Sequence, residues 1–549
     1  MNLLDYDVLI LGGGIVGCSI AYELSKYSLN VSIIEKELDI GNDVSELNAS
    51  LIFDGMEIDN DLNYYMEYYG NKNMRDITKL FNVPFKRFKS IIFQEGLENT
   101  QNFIDKMYIR SIRRGIKGIQ KISNDSFKLG LDSRINIDFK KAITSKNWGV
   151  VCPYDLAIAY GEIAFDNGVN FRLGEKVIEI KKISKGFKVT TTKNKFTCKF
   201  VINTIPDDDY RLKSKDKKME QKNNNVKYFL INKKFRFKDI AVIVGRNGEN
   251  IFAYPNFNGD TIAYVITKKE ISYEEAFKRL KNRLPGINNN YINNSYSTQF
   301  FNDKVIIDDS MVSKGYIKID GKNYGIVAMS QFIANTIRKM VIENIPSKLK
   351  KDFYGKRREV YRFRDMTNDK RKELININPE YGKIVCLCNQ VTEGEIIDSI
   401  RRPLGARTIN GIRKRTGAMN GDCSGNHCMS KIISILANET NKDITEILEK
   451  SEGSNIIMSR IKQFKQKDIG DMNREGIKKK DILTTLVRVK GSNVKVVSVK
   501  STKPIEKKLF KECSKALGMI YVSAPINEGD LICKNILNTG VDIIATKNI

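Results

Sequence analysis

Two pairs of closely spaced cysteines are the residues whose types and spacing most directly predict chemistry in this chain. Cys386 and Cys388 lie in the stretch CLC, and Cys423 and Cys428 lie in CSGNHC. Four thiolates are the ligand set of a 2Fe–2S cluster, and they also suit structural zinc. A single residue between the first two cysteines is uncommon in zinc sites, where roughly two to four residues separate them. We therefore predict a 2Fe–2S cluster, with zinc as the alternative, and expect Cys423 and Cys428 to hold one of its irons.

The single histidine of the sequence, His427, directly precedes Cys428. An imidazole at this place could bind a metal or carry a proton. Because the four cysteines already supply a full ligand set, we interpret His427 as a solvated residue of the loop.

A second chemical signature is a glycine turn near the N-terminus. Gly12, Gly14 and Gly17 follow the apolar stretch Asp7–Leu11 and open a stretch of helical period, and Glu35 ends the next apolar stretch. In a dinucleotide-binding turn, the first glycine permits a tight bend and the second lets the backbone approach a pyrophosphate. The third lets the helix pack closely, and the acidic residue binds a ribose hydroxyl. With all parts in register, we predict bound FAD or NAD rather than an ordinary tight turn.

The elements that must position these residues can be read from the pattern of apolar positions. The stretch CPYDLAIAYGEIAFDNG (152–168) predicts a helix that Pro153 opens and Gly168 closes. Alternating strands follow, residues 225–320 are mostly strand-like, and a helix is expected over 330–345. The fold class predicted is α/β. It comprises a doubly wound dinucleotide-binding domain with a β-rich substrate domain, then a small helical cluster domain and an α+β C-terminal domain.

The domain boundaries follow from shifts in composition. We expect an oxidoreductase domain with discontinuous cofactor-binding and substrate parts, a basic connector, the cluster domain, a polar lysine-rich linker and a small C-terminal domain of unknown function. Their predicted ranges are 1–350, 351–380, 381–450, 451–480 and 481–549.

Charge and composition narrow the class of protein. The 549 residues include 92 lysines and arginines against 65 aspartates and glutamates, a formal net charge of +27. The basic residues are scattered and no nucleic-acid-binding motif is present, so we expect no nucleic-acid partner. No apolar run has transmembrane length, and the N-terminus does not read as a secretory signal. Nine cysteines, an odd number spread thinly, argue against a disulfide framework. We expect a cytoplasmic location.

Two long stretches carry a family resemblance. The N-terminal turn, together with WGVVCPYDLAIAYGEIAFDNGVNFRLGEKVIEI (148–180), resembles FAD-dependent glycerol-3-phosphate dehydrogenases of the D-amino-acid-oxidase class. The stretch YRFRDMTNDKRKELININPEYGKIVCLC resembles the join to a bacterioferritin-associated-ferredoxin-like 2Fe–2S domain in such enzymes. The resemblance implies FAD as the dinucleotide. The cofactor-binding positions that it implies are Gly12, Gly14, Ile15, Gly17, Glu35, Lys36, Asn48, Val177 and Gly325.

The chain departs from the family pattern at three places around the flavin. Phe53 stands where the family carries a histidine, and Ile205-Pro206 replaces a small residue and glycine at a strand end. The stretch NYGIVAMSQF keeps Gly325 but loses the rest of its motif. Phe53 can neither accept a proton nor bind a phosphate, so the sequence names no catalytic base.

The resemblance implies an oxidoreductase that passes electrons from the flavin to the 2Fe–2S cluster and on to a partner. The substrate would be a small molecule, with glycerol 3-phosphate as the candidate, and the acceptor an electron-carrier protein or a quinone-linked subunit. Peripheral contact with the inner face of the membrane is compatible with this role. The alternative is a catalytically degenerate electron-transfer or scaffold subunit that retains the cluster domain. The departures favour the alternative, and the intact glycine turn with Glu35 favours the enzyme.

Overall fold

A computed structural model describes most of the first 457 residues. The described ranges are 4–43, 50–95, 103–123, 134–137, 139–206, 223–245, 249–256, 259–301, 304–321, 323–421 and 423–457, with three backbone segments at 483–488, 495–500 and 519–523.

The helices of the described part are numbered here in chain order. They are α1 Ile15–Ser25, α2 Asp61–Leu80, α3 Phe103–Arg113, α4 Pro153–Asp166, α5 Tyr273–Arg283, α6 Ile326–Asn344, α7 Asn368–Ile377, α8 Glu393–Arg401, α9 Ile409–Thr416 and α10 Met429–Thr440. Within these described ranges, no helix is both long and apolar enough to span a bilayer.

The first large sheet forms the centre of the N-terminal half. Its strands are β1 Tyr6–Leu11, β2 Val31–Glu35, β9 Asn170–Leu173, β10 Val177–Ile183, β11 Gly186–Thr191, β12 Lys195–Asn203, β18 Ile306–Asp308 and β19 Tyr316–Asp320. The order is β10-β11-β12-β1-β2-β9, with β19 also paired to β12. β1 is parallel to both β2 and β12. Parallel neighbours need crossover connections, so α1 runs back between β1 and β2.

A second large sheet and a small one complete this half of the chain. The large sheet has the order β17-β13-β16-β15-β14-β5-β7-β6. Its strands are β5 Ser90–Glu95, β6 Ile119–Ser123, β7 Phe139–Ser145, β13 Asn223–Ile231, β14 Ile240–Val244, β15 Asn250–Pro255, β16 Thr261–Thr267 and β17 Ile292–Phe301. The small sheet joins β3 Leu51–Ile52, β8 Gly149–Val151 and β4 Phe85–Arg87.

The remaining strands lie in the C-terminal part. A short hairpin of β20 Ile384–Cys386 and β21 Val391–Thr392 opens the cysteine-rich region. A further sheet joins β22 Leu483–Arg488, β23 Lys495–Lys500 and β24 Met519–Ser523. The helix expected around 504–517 and most of the linker expected over 451–480 lie outside the described residues.

One apolar core connects the two large sheets. Val8, Ile10 and Ile33 of the first sheet are fully buried, and they belong to the same core cluster as Phe53 and Trp148. The cysteine-rich region has a separate small core, to which Cys386 and Cys428 contribute. The mixed α/β architecture with a parallel central sheet agrees with the predicted fold class for the first part. The α+β character of the C-terminal domain and all domain boundaries stay predictions.

Candidate functional site

The glycine turn adopts the strand–turn–helix geometry that its spacing predicts. Gly12 has a φ of +103°, and an added Cβ would lie 2.7 Å from Thr204 Oγ1. At Gly17 an added Cβ would overlap the carbonyl oxygen of Gly12. Both positions therefore require glycine, the first for its backbone conformation and the second for the close approach of α1 to the turn.

Glu35 lies at the end of β2 and fixes the middle of the turn. The Gly13 N–H donates to Glu35 Oε2 at 2.6 Å, and the Glu37 N–H donates to Oε1 at 2.9 Å. Burial raises the pKa of Glu35, although the two backbone donors oppose this. Lys36, also assigned to the cofactor by resemblance, has an exposed side chain whose Nζ lies 3.8 Å from Glu37 Oε1.

An acidic side chain that the sequence did not single out lies at the N-terminus of α1. The Ile15 N–H donates to Asp43 Oδ2 at 3.1 Å. An added Cβ on Gly14 would overlap the Asp43 carboxylate, so the carboxylate lies directly over the turn. Free N–H groups at a helix start bind anions. Asp43 is thus a stand-in for a phosphate, and the site fits the pyrophosphate of a dinucleotide.

The other predicted cofactor positions come near this turn through the sheet and α6. The Glu175 N–H donates to the Glu35 carbonyl at 2.9 Å, which brings the start of β10, where Val177 is buried, beside the acidic strand end. Gly325 caps the N-terminus of α6, which packs across α1. Asn48 lies outside the described residues.

Phe53 is part of a buried aromatic group at the departure from the family pattern. Its ring centroid lies 4.6 Å from that of Trp148 and 5.1 Å from that of Tyr324. The Trp148 Nε1–H donates to Asp54 Oδ1 at 3.0 Å, which fixes the loop after β3. At the position where the family carries a histidine, the Phe53 side chain therefore packs against other aromatic rings and cannot accept a proton.

The four predicted cluster ligands are neighbours in the cysteine-rich region, although no three acidic, cysteine or histidine side chains of the described residues are arranged to hold a single metal ion. Cys388 Sγ lies 3.5 Å from Cys423 Sγ. Burial, followed by the adjacent Cys386, raises the pKa of Cys428 to about 11. The backbone N–H of His427 is the largest influence that lowers the pKa of Cys423. The donor set is thus two thiol pairs, with backbone N–H groups directed at one of the sulfurs, which suits a negatively charged iron–sulfur centre.

A buried network of ionic groups attaches the cysteine-rich region to the first sheet's helices. Glu162 on α4 accepts from Arg357 Nε at 2.6 Å and from Arg402 Nε at 3.0 Å, and all three side chains are almost fully buried. Asp155, also on α4, accepts from Arg357 and Arg362. We call these five residues the arginine junction. The sequence predicts residues 351–380, which contain Arg357 and Arg362, only as a basic connector.

A second contact connects the cysteine-rich region to the segment that follows β2. Arg415 on α9 donates to both carboxylate oxygens of Asp39, at 2.6 and 2.7 Å. The neighbouring Lys414 Nζ contacts Asn42 Oδ1. The segment after β2 that contains Asp39 and Asn42 is therefore held by the helix that precedes the second cysteine pair.

A cavity of about 180 Å³ lies between the two regions. Ser50, Val151 and Cys152 line it from the side of the small sheet. Gly417 and Asn420 line it from the segment between α9 and Cys423. Asn389, next to Cys388, donates to the Gly417 carbonyl at 2.7 Å. The cavity therefore joins the segment before Phe53 to the surroundings of the cysteines.

Comparison with family models divides the chain into three matched regions. Residues 7–205 match the model of FAD-dependent oxidoreductases, and residues 384–438 match that of BFD-like [2Fe-2S] binding domains. Residues 472–547 match a family of unknown function.

Two curated relatives match different shares of this chain. A glycerol 3-phosphate dehydrogenase from Caloramator mitchellensis is 30% identical over 480 residues, which cover 82% of this chain and 98% of that protein. A glycerol 3-phosphate oxidase from Mycoplasma pneumoniae is 25% identical over 37% of this chain and 53% of its own length.

Solved structures show a similar fold for the N-terminal part. The FAD-bound L-alpha-glycerophosphate oxidase from Mycoplasma pneumoniae superposes with a TM-score of 0.55 at 20% identity, covering 65% of this chain and 99% of that one. Glycine oxidase from Geobacillus kaustophilus gives a TM-score of 0.52 at 16% identity, covering 64% and 97%.

Proposed function

Because the chain belongs to the glycerol 3-phosphate dehydrogenase family of FAD-dependent oxidoreductases, with FAD and a 2Fe–2S cluster as cofactors, we propose that it oxidises glycerol 3-phosphate and delivers the electrons through the cluster to a partner acceptor. The acceptor is an electron-carrier protein or a quinone-linked subunit. The observation that carries this proposal is the contact of the cysteine-rich region with the segment beside the glycine turn. Arg415 donates to both carboxylate oxygens of Asp39, and the nearby Gly41 N–H donates to the Gly13 carbonyl.

The chain's own residues have distinct tasks in this scheme. When bound, FAD supplies a two-electron acceptor and the cluster supplies a one-electron carrier. The start of α1 would hold the pyrophosphate, and Glu35 would accept a hydrogen bond from a ribose hydroxyl. Phe53, Trp148 and Tyr324 exclude water from the loop after β3.

The sulfur positions favour a specific division of the four cysteine ligands. Two thiolates bound to one tetrahedral metal at about 2.3 Å lie roughly 3.8 Å apart. Cys388 and Cys423 lie at close to that separation, at 3.5 Å. We therefore infer that these two would hold one iron and Cys386 with Cys428 the other, which differs from the pairing of Cys423 with Cys428 expected from the sequence.

The experiment that tests the proposed function is an anaerobic titration of the purified protein. Iron, sulfide and flavin are quantified per chain, and glycerol 3-phosphate is then added while the absorption spectrum is recorded. Bleaching of the flavin bands followed by reduction of the cluster bands is the expected result. A protein with cluster bands and no flavin, or with flavin that glycerol 3-phosphate does not bleach, would instead support the scaffold alternative or another substrate.

Asp43 gives a separate expectation for cofactor affinity. Its carboxylate accepts the Ile15 N–H, one of the free donors at the start of α1, so FAD must displace it to bring its pyrophosphate there. An Asp43→Asn variant removes the competing charge, so we expect FAD to bind roughly fivefold more tightly, the effect of about 1 kcal/mol at a helix terminus. Equilibrium dialysis of the FAD-stripped protein measures this. Glu179→Gln, an exposed acid on β10, is the control, and weaker binding by Asp43→Asn would contradict the assignment.

A further inference from the structure

Two glutamates near the loop after β3 have buried carboxyl groups and no assigned role. Glu57 follows the loop after β3, and Glu67 lies on α2 with a fully buried side chain. In the described part of the chain, no other side chain donates a hydrogen bond to any of their four carboxyl oxygens, and all four oxygens are buried. The two carboxyl groups instead face each other, so a hydrogen bond between them requires a proton on one. We call them the glutamate pair.

The surroundings place the glutamate pair at the same site as the flavin-facing positions. An added Cβ on Gly325 would overlap Glu67 Oε1, so the Glu67 carboxyl group lies against the start of α6. Glu57 lies four residues after Phe53, whose ring contacts Tyr324. Helix α3 contributes Arg110, whose Nη2 donates to the Met56 carbonyl at 2.8 Å. The groups with charge or titratable protons that face the pair are Asp54, Arg110 and Tyr324.

The pair shares one proton near neutral pH. Burial, followed by the adjacent Glu57, raises the pKa of Glu67 well above its ordinary value. Burial and the charge of Asp54 raise the pKa of Glu57 to about 7, while the hydrogen bond from Glu67 and the charge of Arg110 oppose the rise. The stronger rise at Glu67 favours the proton on Glu67, which leaves Glu57 as the group with a pKa of about 7. A general base is most effective when its pKa lies near the working pH.

We propose that Glu57 is the general base that accepts the substrate's hydroxyl proton, and that Glu67 is a positioning residue that hydrogen-bonds to it; this rests on the function proposed above. As the alcohol is oxidised, its C–H bond breaks and hydrogen leaves as hydride to the flavin. The O–H bond breaks, its electron pair forms the C=O bond, and the proton goes to Glu57. The imidazole that Phe53 replaces is not needed.

Two variants of Glu57 test the base directly. Glu57→Gln keeps the volume but cannot take a proton, so we expect flavin reduction by glycerol 3-phosphate to slow by about 10²- to 10⁴-fold with FAD content unchanged. Glu57→Asp keeps a carboxylate and should recover part of the rate. Glu274→Gln, a substitution on the exposed face of α5, is the matched control. A wild-type rate in Glu57→Gln would overturn the proposal.

Infrared spectroscopy of the FAD-loaded protein without substrate gives an independent readout. The wild type should show a protonated-carboxyl band that titrates near pH 7, and Glu57→Gln should lose this titration. If glycerol 3-phosphate fails to bleach the wild-type flavin while this band is present, the substrate assignment fails and the glutamate pair stands. Absence of a titrating carboxyl in the wild type would overturn the pair itself.

The positioning role of Glu67 is tested by its effect on the pH profile. The rate of flavin reduction should fall as the pH drops through about 7, because protonated Glu57 cannot act as a base. Glu67→Leu removes the hydrogen-bond donor and should shift this fall to higher pH, whereas Glu67→Gln keeps a donor and should restore the wild-type profile. Identical profiles for the two variants would refute the role. If Glu67→Leu does not fold, the infrared titration of Glu57→Gln still decides whether Glu57 is the carboxyl group that titrates near pH 7.

Discussion

A Cys428→Ser variant should lose its cluster and keep its flavin. Cys428 is buried beside Cys386 in the small core of the cysteine-rich region, so no other thiol of the described part lies where it could replace the missing ligand. A 2Fe–2S cluster needs four ligands, so iron should fall from about two per chain to near zero. Glycerol 3-phosphate should still bleach the flavin, but reduction of one-electron acceptors should drop to background.

The matched control for this loss is Cys198→Ala. Cys198 is buried in β12, where burial raises its pKa to about 12, and it lies on the first sheet rather than in the cysteine-rich region. This variant should keep its iron, sulfide and flavin. Full iron and sulfide in Cys428→Ser, measured on the same anaerobic preparations, would remove Cys428 from the ligand set.

The second large effect is expected from Glu162→Gln. Neutralising this carboxylate leaves Arg357 and Arg402 buried with too little negative charge, and removing one partner of a buried ion pair costs about 3–5 kcal/mol. Urea unfolding followed by flavin fluorescence should show this loss in the free energy of unfolding. Asp166→Asn breaks a pair with Arg358, whose side chain is 58% exposed, and should cost under about 1 kcal/mol.

The stability difference of Glu162→Gln has a defined pH dependence. Burial alone would raise the pKa of Glu162, but Arg357 and Arg402 outweigh it and hold the pKa below its ordinary value. A depressed carboxyl pKa contributes stability above the unfolded pKa of about 4.3, and that stability is lost as the pH falls through the folded pKa. Wild type and variant should therefore converge in acid. A gap that stays constant down to acidic pH would contradict the ion-pair account.

The parts of the fold set by local spacing could be predicted from the sequence. The glycine turn is one example, because the positive φ of Gly12 and the contact of Gly17 with the Gly12 carbonyl are both local. The helix expected over 152–168 forms as Pro153–Asp166, opened by the predicted proline. The last helix of the first part begins earlier than expected, at Ile326 rather than 330, because Gly325 starts it without a side-chain cap.

Contacts between residues distant in the chain could not be predicted in this way. Asp43 has no sequence signal that connects it to Ile15, and Glu57 and Glu67 read as ordinary surface acids until two elements bring them together. The basic stretch around Arg357 has the composition of a solvated connector, yet that side chain is only 3% exposed. The basic stretch can be recognised as a buried ion-pair partner only after the fold shows the buried acids on α4 beside it.

The order of charges along the chain in the arginine junction also bears on biosynthesis. Asp155 and Glu162 are made first, while Arg357, Arg362 and Arg402 are made some two hundred residues later. Until those cations leave the ribosome, the growing polypeptide carries two acids destined for a dry interior without any counter-charge. We therefore expect the FAD-dependent part to complete its packing only after Arg357, Arg362 and Arg402 have emerged, so that its folding depends on the start of the cysteine-rich region.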